Sequence, residues 1–69
     1  MVNVNKLRGK MAERGQSGID MARVINKTPK TFYEKMKKGV FDSDEITAIV
    51  EHLSIENPME IFFAEEVTQ

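Results

Sequence analysis

Ten basic residues, Lys6, Arg8, Lys10, Arg14, Arg23, Lys27, Lys30, Lys35, Lys37 and Lys38, all fall within the first 38 positions of this 69-residue chain. Only Glu13, Asp20 and Glu34 share that stretch, which therefore carries +7. Positions 39–69 hold eight acids and no Lys or Arg, for −8, and the formal net charge of −1 conceals the division. A basic half of this kind suits a polyanion, with the acidic half turned away from it. Other chemistries lack their residues. There is no cysteine, and His52 is the sole histidine, with no second histidine or suitably spaced carboxylate to complete a metal or catalytic set. Gly9, Gly15, Gly18 and Gly39 are scattered rather than gathered into a phosphate-binding loop. The five methionines read as core filler. The expectation is binding without catalysis, metal or cofactor, since a chain this short rarely encloses a supported active-site pocket.

Apolar spacing along the chain follows three and four rather than two, which predicts an all-α fold. Ser17 with Asp20 reads as a capping box, as does Asp42 with Glu45. Thr28-Pro29 and Asn57-Pro58 each place a cap residue before a proline at the first helical position. Asn5, or Asn3 before it, starts the first helix. Gly15, Asn26 and Gly39 suit the left-handed conformation that ends a helix. Five helices follow, over about 5–14, 18–25, 28–38, 43–53 and 58–63, joined by short loops into one domain spanning 1–69, with an acidic tail over 64–69. The longest unbroken apolar run is Ile61–Ala64, far short of a membrane span or signal-peptide core.

The same periodicity nominates a core of Val4, Leu7, Met11, Met21, Ala22, Ile25, Phe32, Met36, Ile46, Ile49, Val50 and Leu53. Val40, Phe41, Ile55 and Phe62 or Phe63 would close its ends. The third helix buries only the narrow stripe of Phe32 and Met36. Its remaining surface shows Lys30, Thr31, Tyr33, Glu34, Lys37 and Lys38, a long polar face suited to something other than water.

A short connection around Asn26 and Lys27 joins the second and third helices at a sharp angle, and the small Ala22 permits close approach. Ser17-Gly18-Ile19-Asp20-Met21-Ala22, Ile25-Asn26 and Thr28-Pro29-Lys30-Thr31-Phe32 together resemble the helix-turn-helix of the phage-repressor and Cro-like (XRE) family. Phe32 lies ten residues after Ala22, as the family pattern asks. Phe41, Ile46, Ile49, Leu53 and Ile61-Phe62-Phe63 resemble the last two helices of small phage-borne members, so the likeness covers about 4–63. Gly18 stands where the family often has Gln, Asn26 replaces the turn glycine, and Lys27 replaces a usual aliphatic residue.

The resemblance implies a Cro-like repressor that reads double-stranded DNA in the major groove and acts by occupying an operator in a bacterial or phage-infected cytoplasm. Under it, Pro29, Lys30, Thr31, Tyr33 and Glu34 contact bases. Lys30 would donate to guanine and Glu34 would accept from cytosine, whereas Pro29 offers steric or methyl contact only. Gln16, Ser17, Gly18, Lys27, Thr28, Lys37 and Lys38 contact phosphate. A homodimer on half-sites about 34 Å apart is expected, because one domain covers little DNA. Of Phe62 and Phe63 only one can point fully into the core, leaving the other, with Ile55 or Met59, as a self-association patch. Several alternatives stand beside these readings. Glu34 can pair with Lys30 or Lys38 at helical spacing, Tyr33 can lie half-buried beside Phe32, and Arg8, Lys10 and Arg14 read as solvated. The chain can also be a protein-binding module on the same fold, an antirepressor or antitoxin whose acidic half meets a basic partner.

Overall fold

The computed structural model describes residues 2–63, which form five α-helices and, among the described residues, no strand. They are α1 (Val4–Glu13), α2 (Gly18–Val24), α3 (Pro29–Lys38), α4 (Ser43–Leu53) and α5 (Pro58–Phe62). The acidic tail expected over 64–69 lies outside the described residues.

Side-chain contacts at the caps set the starts of α1 to α4, whereas Asn57 makes no such bond before α5. Asn3, not Asn5, opens α1, its side chain accepting from the Lys6 N–H at 3.1 Å. At α2 the box closes both ways: the Asp20 N–H donates to Ser17 Oγ at 3.2 Å and the Ser17 N–H donates to Asp20 Oδ2 at 3.0 Å. Thr28 Oγ1 accepts from the Thr31 N–H at 3.2 Å, with Pro29 at the first helical position of α3. Glu45 reaches back to accept from the Asp42 N–H at 2.8 Å at the start of α4. These contacts satisfy amide donors that a helix leaves orphaned at its N-terminus.

Helices α1 to α4 end alike. Gly15 (φ 68°), Asn26 (φ 61°), Gly39 (φ 74°) and Ser54 (φ 53°) all take the left-handed conformation. The following N–H then folds back five residues, Gln16 to Met11 O, Lys27 to Ala22 O, Val40 to Lys35 O and Ile55 to Val50 O, at 2.8–3.1 Å. This is the Schellman arrangement, which returns partners to carbonyls that would otherwise be unpaired. Ser54 occupies its position without the help of a glycine or asparagine, and nothing in its residue type announced the conformation.

Leu7, Met21, Ala22, Phe32, Ile49 and Leu53 are wholly buried, and Met11, Ile25, Met36, Phe41, Ile55, Ile61 and Phe62 nearly so. Helix α2 packs chiefly on α3 and also meets α4, while α1 meets α5. Rings connect these layers: Phe32 lies 5.7 Å from Phe41, and Phe41 lies edge-on to Phe62 at 6.5 Å, within the range of favourable aromatic pairs. Val40, expected to close the core, is 60% exposed. It sits next to Phe41 in a non-helical connection, and Phe41 takes the inward direction. Val2, which the periodicity passed over, is buried: its N–H donates to Gly39 O at 3.1 Å and the next N–H, of Asn3, donates to Ile61 O at 2.6 Å. The segment before α1 is thus tied to the end of α3 and to α5.

Gly9 sits exposed in the middle of α1, and a Cβ built there would meet nothing within 4 Å. Glycine costs a helix interior up to about 1 kcal/mol relative to alanine. Gly9→Ala is therefore expected to raise the unfolding free energy by about 0.5–1 kcal/mol in urea titration, with an unchanged denaturant slope. A loss of stability would mean that this space is filled in the protein in solution.

Candidate nucleic-acid interface

Helix α3 carries the face that its composition foreshadowed. Phe32 and Met36 are buried and hold the helix to the core, while Pro29, Lys30, Tyr33, Glu34, Lys37 and Lys38 are exposed and Thr31 is half-buried. Lys27, in the connection before it, is also exposed. Among the described residues none of Lys27, Lys30, Lys37 and Lys38 forms an ion pair; the pairs are Lys6–Glu60, Lys10–Glu13 and Lys35–Glu45. Glu34 pairs with neither Lys30 nor Lys38, so the local helix-surface pairing is not what occupies it. The Thr28 hydroxyl donates to Thr31 Oγ1 at 3.0 Å, which leaves the Thr31 hydroxyl proton free to donate outward.

The orientation of α3 is secured from beneath. Lys35 reaches Glu45 at 3.3 Å, and Glu45 is a buried carboxylate that also holds the Asp42 N–H. A buried charge is tolerable only when paired and hydrogen-bonded. This pair, with one end on α3 and the other on α4, fixes the two helices against each other. Lys35 is accordingly withdrawn from the exposed cations.

The expected phosphate residues divide into two groups. Lys27, Lys37 and Lys38 are exposed. The residues at the start of α2 are engaged with the chain itself. The Ser17 hydroxyl donates to Asp20 Oδ2 at 3.0 Å and accepts the Asp20 N–H. Thr28 is similarly spent on capping α3. Gly18 is buried beneath the Tyr33 ring, whose Cζ and hydroxyl occupy the space a Cβ would need. The Gln16 Oε1 lies 2.8 Å from His52 Nε2, and its Nε2 makes only long 3.5 Å contacts to Arg14 O and Gly15 O. With its oxygen held, Gln16 has its amide donors least committed.

Tyr33 packs beside Phe32 without being buried. Its ring stands edge-on to Phe32, 5.8 Å between centroids at 72°, and still keeps 47% of its surface exposed. It bridges α3 to the first residue of α2, which explains why that residue is glycine. Arg14, expected to be solvated, instead donates from Nε to Leu53 O at 2.8 Å and from Nη2 to Ser54 O at 3.4 Å. A cation there satisfies terminal carbonyls of α4 and complements the negative end of the helix dipole.

Two of the four self-association candidates are core residues: Ile55 and Phe62 are buried, because the short α5 turns Ile61 and Phe62 inward together. Met59 and Phe63 remain exposed. Among the described residues no three His, Cys, Asp or Glu side chains gather to hold a metal, and no helix is long and apolar enough to cross a membrane. Comparison with family models, curated proteins and solved structures gave no match to this chain.

The Ser17 backbone N–H and hydroxyl, and more weakly the charges of Arg23 and His52, hold the Asp20 carboxyl below its ordinary range. A folded pKa below the unfolded one stabilises fully above the ordinary aspartate value of about 3.9, and that stabilisation is lost as pH falls through the folded value. The stability gap between the wild type and Asp20→Asn should therefore be present near neutrality and close on acidification, as followed by urea unfolding across pH. A gap that persists in acid would assign the effect to something other than the carboxylate charge. Gly18 and Tyr33 should also be coupled. Gly18→Ala is expected to destabilise by about 1 kcal/mol in the wild type and by less in a Tyr33→Ala background, a double-mutant coupling of at least about 0.5 kcal/mol.

Proposed function

We propose that α2 and α3 form a helix-turn-helix and that this protein is a sequence-specific DNA-binding transcriptional regulator, a Cro-like repressor that acts by occupying its operator. The observation that carries the reading is the outer face of α3, an exposed row of polar side chains with three cations free of ion pairs among the described residues. On the opposite side Phe32 and Met36 are its buried side chains. This ten-residue helix is about 15 Å long, and a helix diameter of about 10–12 Å matches the roughly 12 Å width of the major groove.

In this reading Lys30, Thr31 and Glu34 face base edges. Lys30 donates to guanine O6 and N7, Glu34 accepts from cytosine N4, and Thr31 donates its free proton or meets a thymine methyl group. Lys27, Lys37 and Lys38 bind phosphates and set register without reading sequence, assisted by the Gln16 amide. Tyr33 meets sugar or methyl groups with its exposed edge. The acids of α4 and α5 discourage the opposite docking orientation. Two copies on a pseudo-palindrome supply the affinity that one domain lacks.

Selection from a random duplex pool at about 150 mM salt tests the proposal, because phosphate binding alone weakens steeply there. An enriched two-fold motif is expected. Lys30→Ala or Thr31→Ala should then cost about 1–3 kcal/mol at one base pair each and relax specificity there, whereas Lys37→Ala should weaken all sequences alike. Retention without enrichment would reduce the basic half to a phosphate clamp. Absence of binding by folded protein would overturn the reading.

A further inference from the structure

Two contacts tie the connection between α1 and α2 to the end of α4. Arg14 Nε donates to Leu53 O at 2.8 Å, and the Gln16 Oε1 lies 2.8 Å from His52 Nε2. An amide oxygen only accepts, so the His52 ring is the donor and carries its hydrogen at Nε2. The bond lies at the surface, with His52 exposed and Gln16 half-buried, and it joins residues 36 apart in the chain. Its effect is to fix the Gln16 carboxamide. With Oε1 turned to α4, Nε2 lies on the other arm of the amide. There its hydrogen bonds among the described residues are the long 3.5 Å contacts to Arg14 O and Gly15 O. An amide nitrogen has two hydrogens to donate, and here neither has a short protein partner. The start of α2 that follows lies against the α3 face, because Tyr33 covers Gly18.

We propose that His52 is a positioning residue for DNA binding: from α4 it holds the Gln16 carboxamide so that Nε2 donates to a backbone phosphate beside α3. The inference rests on the reading of α3 as the DNA-contacting helix. A surface glutamine samples many rotamers, and ordering it at the moment of binding costs affinity. His52 orders it beforehand. It also settles which atom meets the DNA. An unheld carboxamide can present its oxygen, which has no hydrogen to give a phosphate; the His52 donor takes that oxygen and leaves the nitrogen. A phosphate contact sets register without reading bases, so the effect falls on all sequences alike. The Gln16 donor is neutral, so the contact adds nothing to the salt dependence that lysines create.

The test uses the full chain, a fluorescein-labelled duplex carrying the motif that the wild type selects, and a scrambled duplex beside it. His52→Ala is expected to weaken binding to both by about three- to tenfold, with the salt slope and helical circular dichroism unchanged. His52→Gln, which offers an uncharged N–H at a similar reach, should bind within about twofold of the wild type. Gln16→Ala should weaken binding as much as His52→Ala does, and combining the two should cost no more than about a further twofold. The Gln16 side-chain amide signals in nitrogen-15-labelled protein give a second measurement. They should shift on duplex binding in the wild type and in His52→Gln. Wild-type binding by His52→Ala, a full loss that persists in the Gln16→Ala background, no rescue by His52→Gln, or unshifted Gln16 signals would overturn the proposal. A salt slope lowered by about one in His52→Ala would also overturn it, making His52 itself a charged phosphate contact. Wild-type protein that binds no duplex would overturn the reading of α3 and this inference together. An operator whose reading is relaxed by Lys30→Ala but whose binding is indifferent to His52→Ala would overturn this inference alone.

Discussion

The meeting of α2 and α3 is the constraint on which the rest of this domain depends. Ala22 and Phe32 are both wholly buried, yet only the residues from Ile25 to Thr28 separate the two helices. The chain must leave α2, reverse and re-enter the core within that span. Asn26 makes this possible by taking positive φ, and Lys27 N–H returns to Ala22 O at 2.9 Å. Asparagine visits this region at lower cost than bulkier residues do. Once Phe32 is driven inward, the opposite side of α3 has no choice but to face outward. The polar face is therefore a consequence of the core.

Short helices make a second demand, because a large share of their backbone groups lie at ends. A domain of five helices, the longest having 11 residues, must find partners for many terminal amides and carbonyls. In α1 to α4 capping side chains serve the starts and four left-handed residues serve the ends. Arg14 adds a long-range partner for the end of α4. Two ion pairs join the basic and acidic halves, Lys6–Glu60 at 2.7 Å and Lys35–Glu45 at 3.3 Å. The first is exposed and contributes little on its own, whereas the second holds a buried carboxylate whose loss of partner would be costly. The division of charge along the chain thus helps to hold its two halves together as well as to present two unlike surfaces.

These surfaces differ in kind. The α3 face is cationic and hydrogen-bonding, matched in type to phosphates and base edges. The α4–α5 groove is lined mainly by apolar side chains, with Glu51 at its edge. A domain too small for two cores can still carry two such faces, because helices with narrow buried stripes leave most of their circumference to solvent. The start of α2 shows the limit of reading a site by position alone: the serine expected to hold phosphate holds Asp20, and the glycine beside it is roofed by Tyr33.

Most of the local structure, Ser54 apart, was legible in the sequence. Cap residues, proline at the first helical position, Gly15, Asn26 and Gly39 set the helix boundaries, because capping and positive φ are decided by neighbours a few residues away. The stripes of α1 to α4 named nine of the fourteen buried apolar residues for the same reason, since helical spacing assigns a face before any partner is known. What the sequence left open was decided by contacts between residues far apart in the chain. Val2 is buried through Gly39 and Asn3 is tied to Ile61, His52 holds Gln16, Arg14 caps α4, Glu45 secures Lys35, and Tyr33 covers Gly18. In the pair of phenylalanines the period could say that one turns inward but not which, because that depends on how α5 lies against α1 and Phe41. The sequence by itself determined the helices and which side of each is apolar. Only the tertiary structure decided which polar side chains are spent inside the fold and which remain to meet a partner, since a hydrogen bond between distant residues leaves no mark in local spacing.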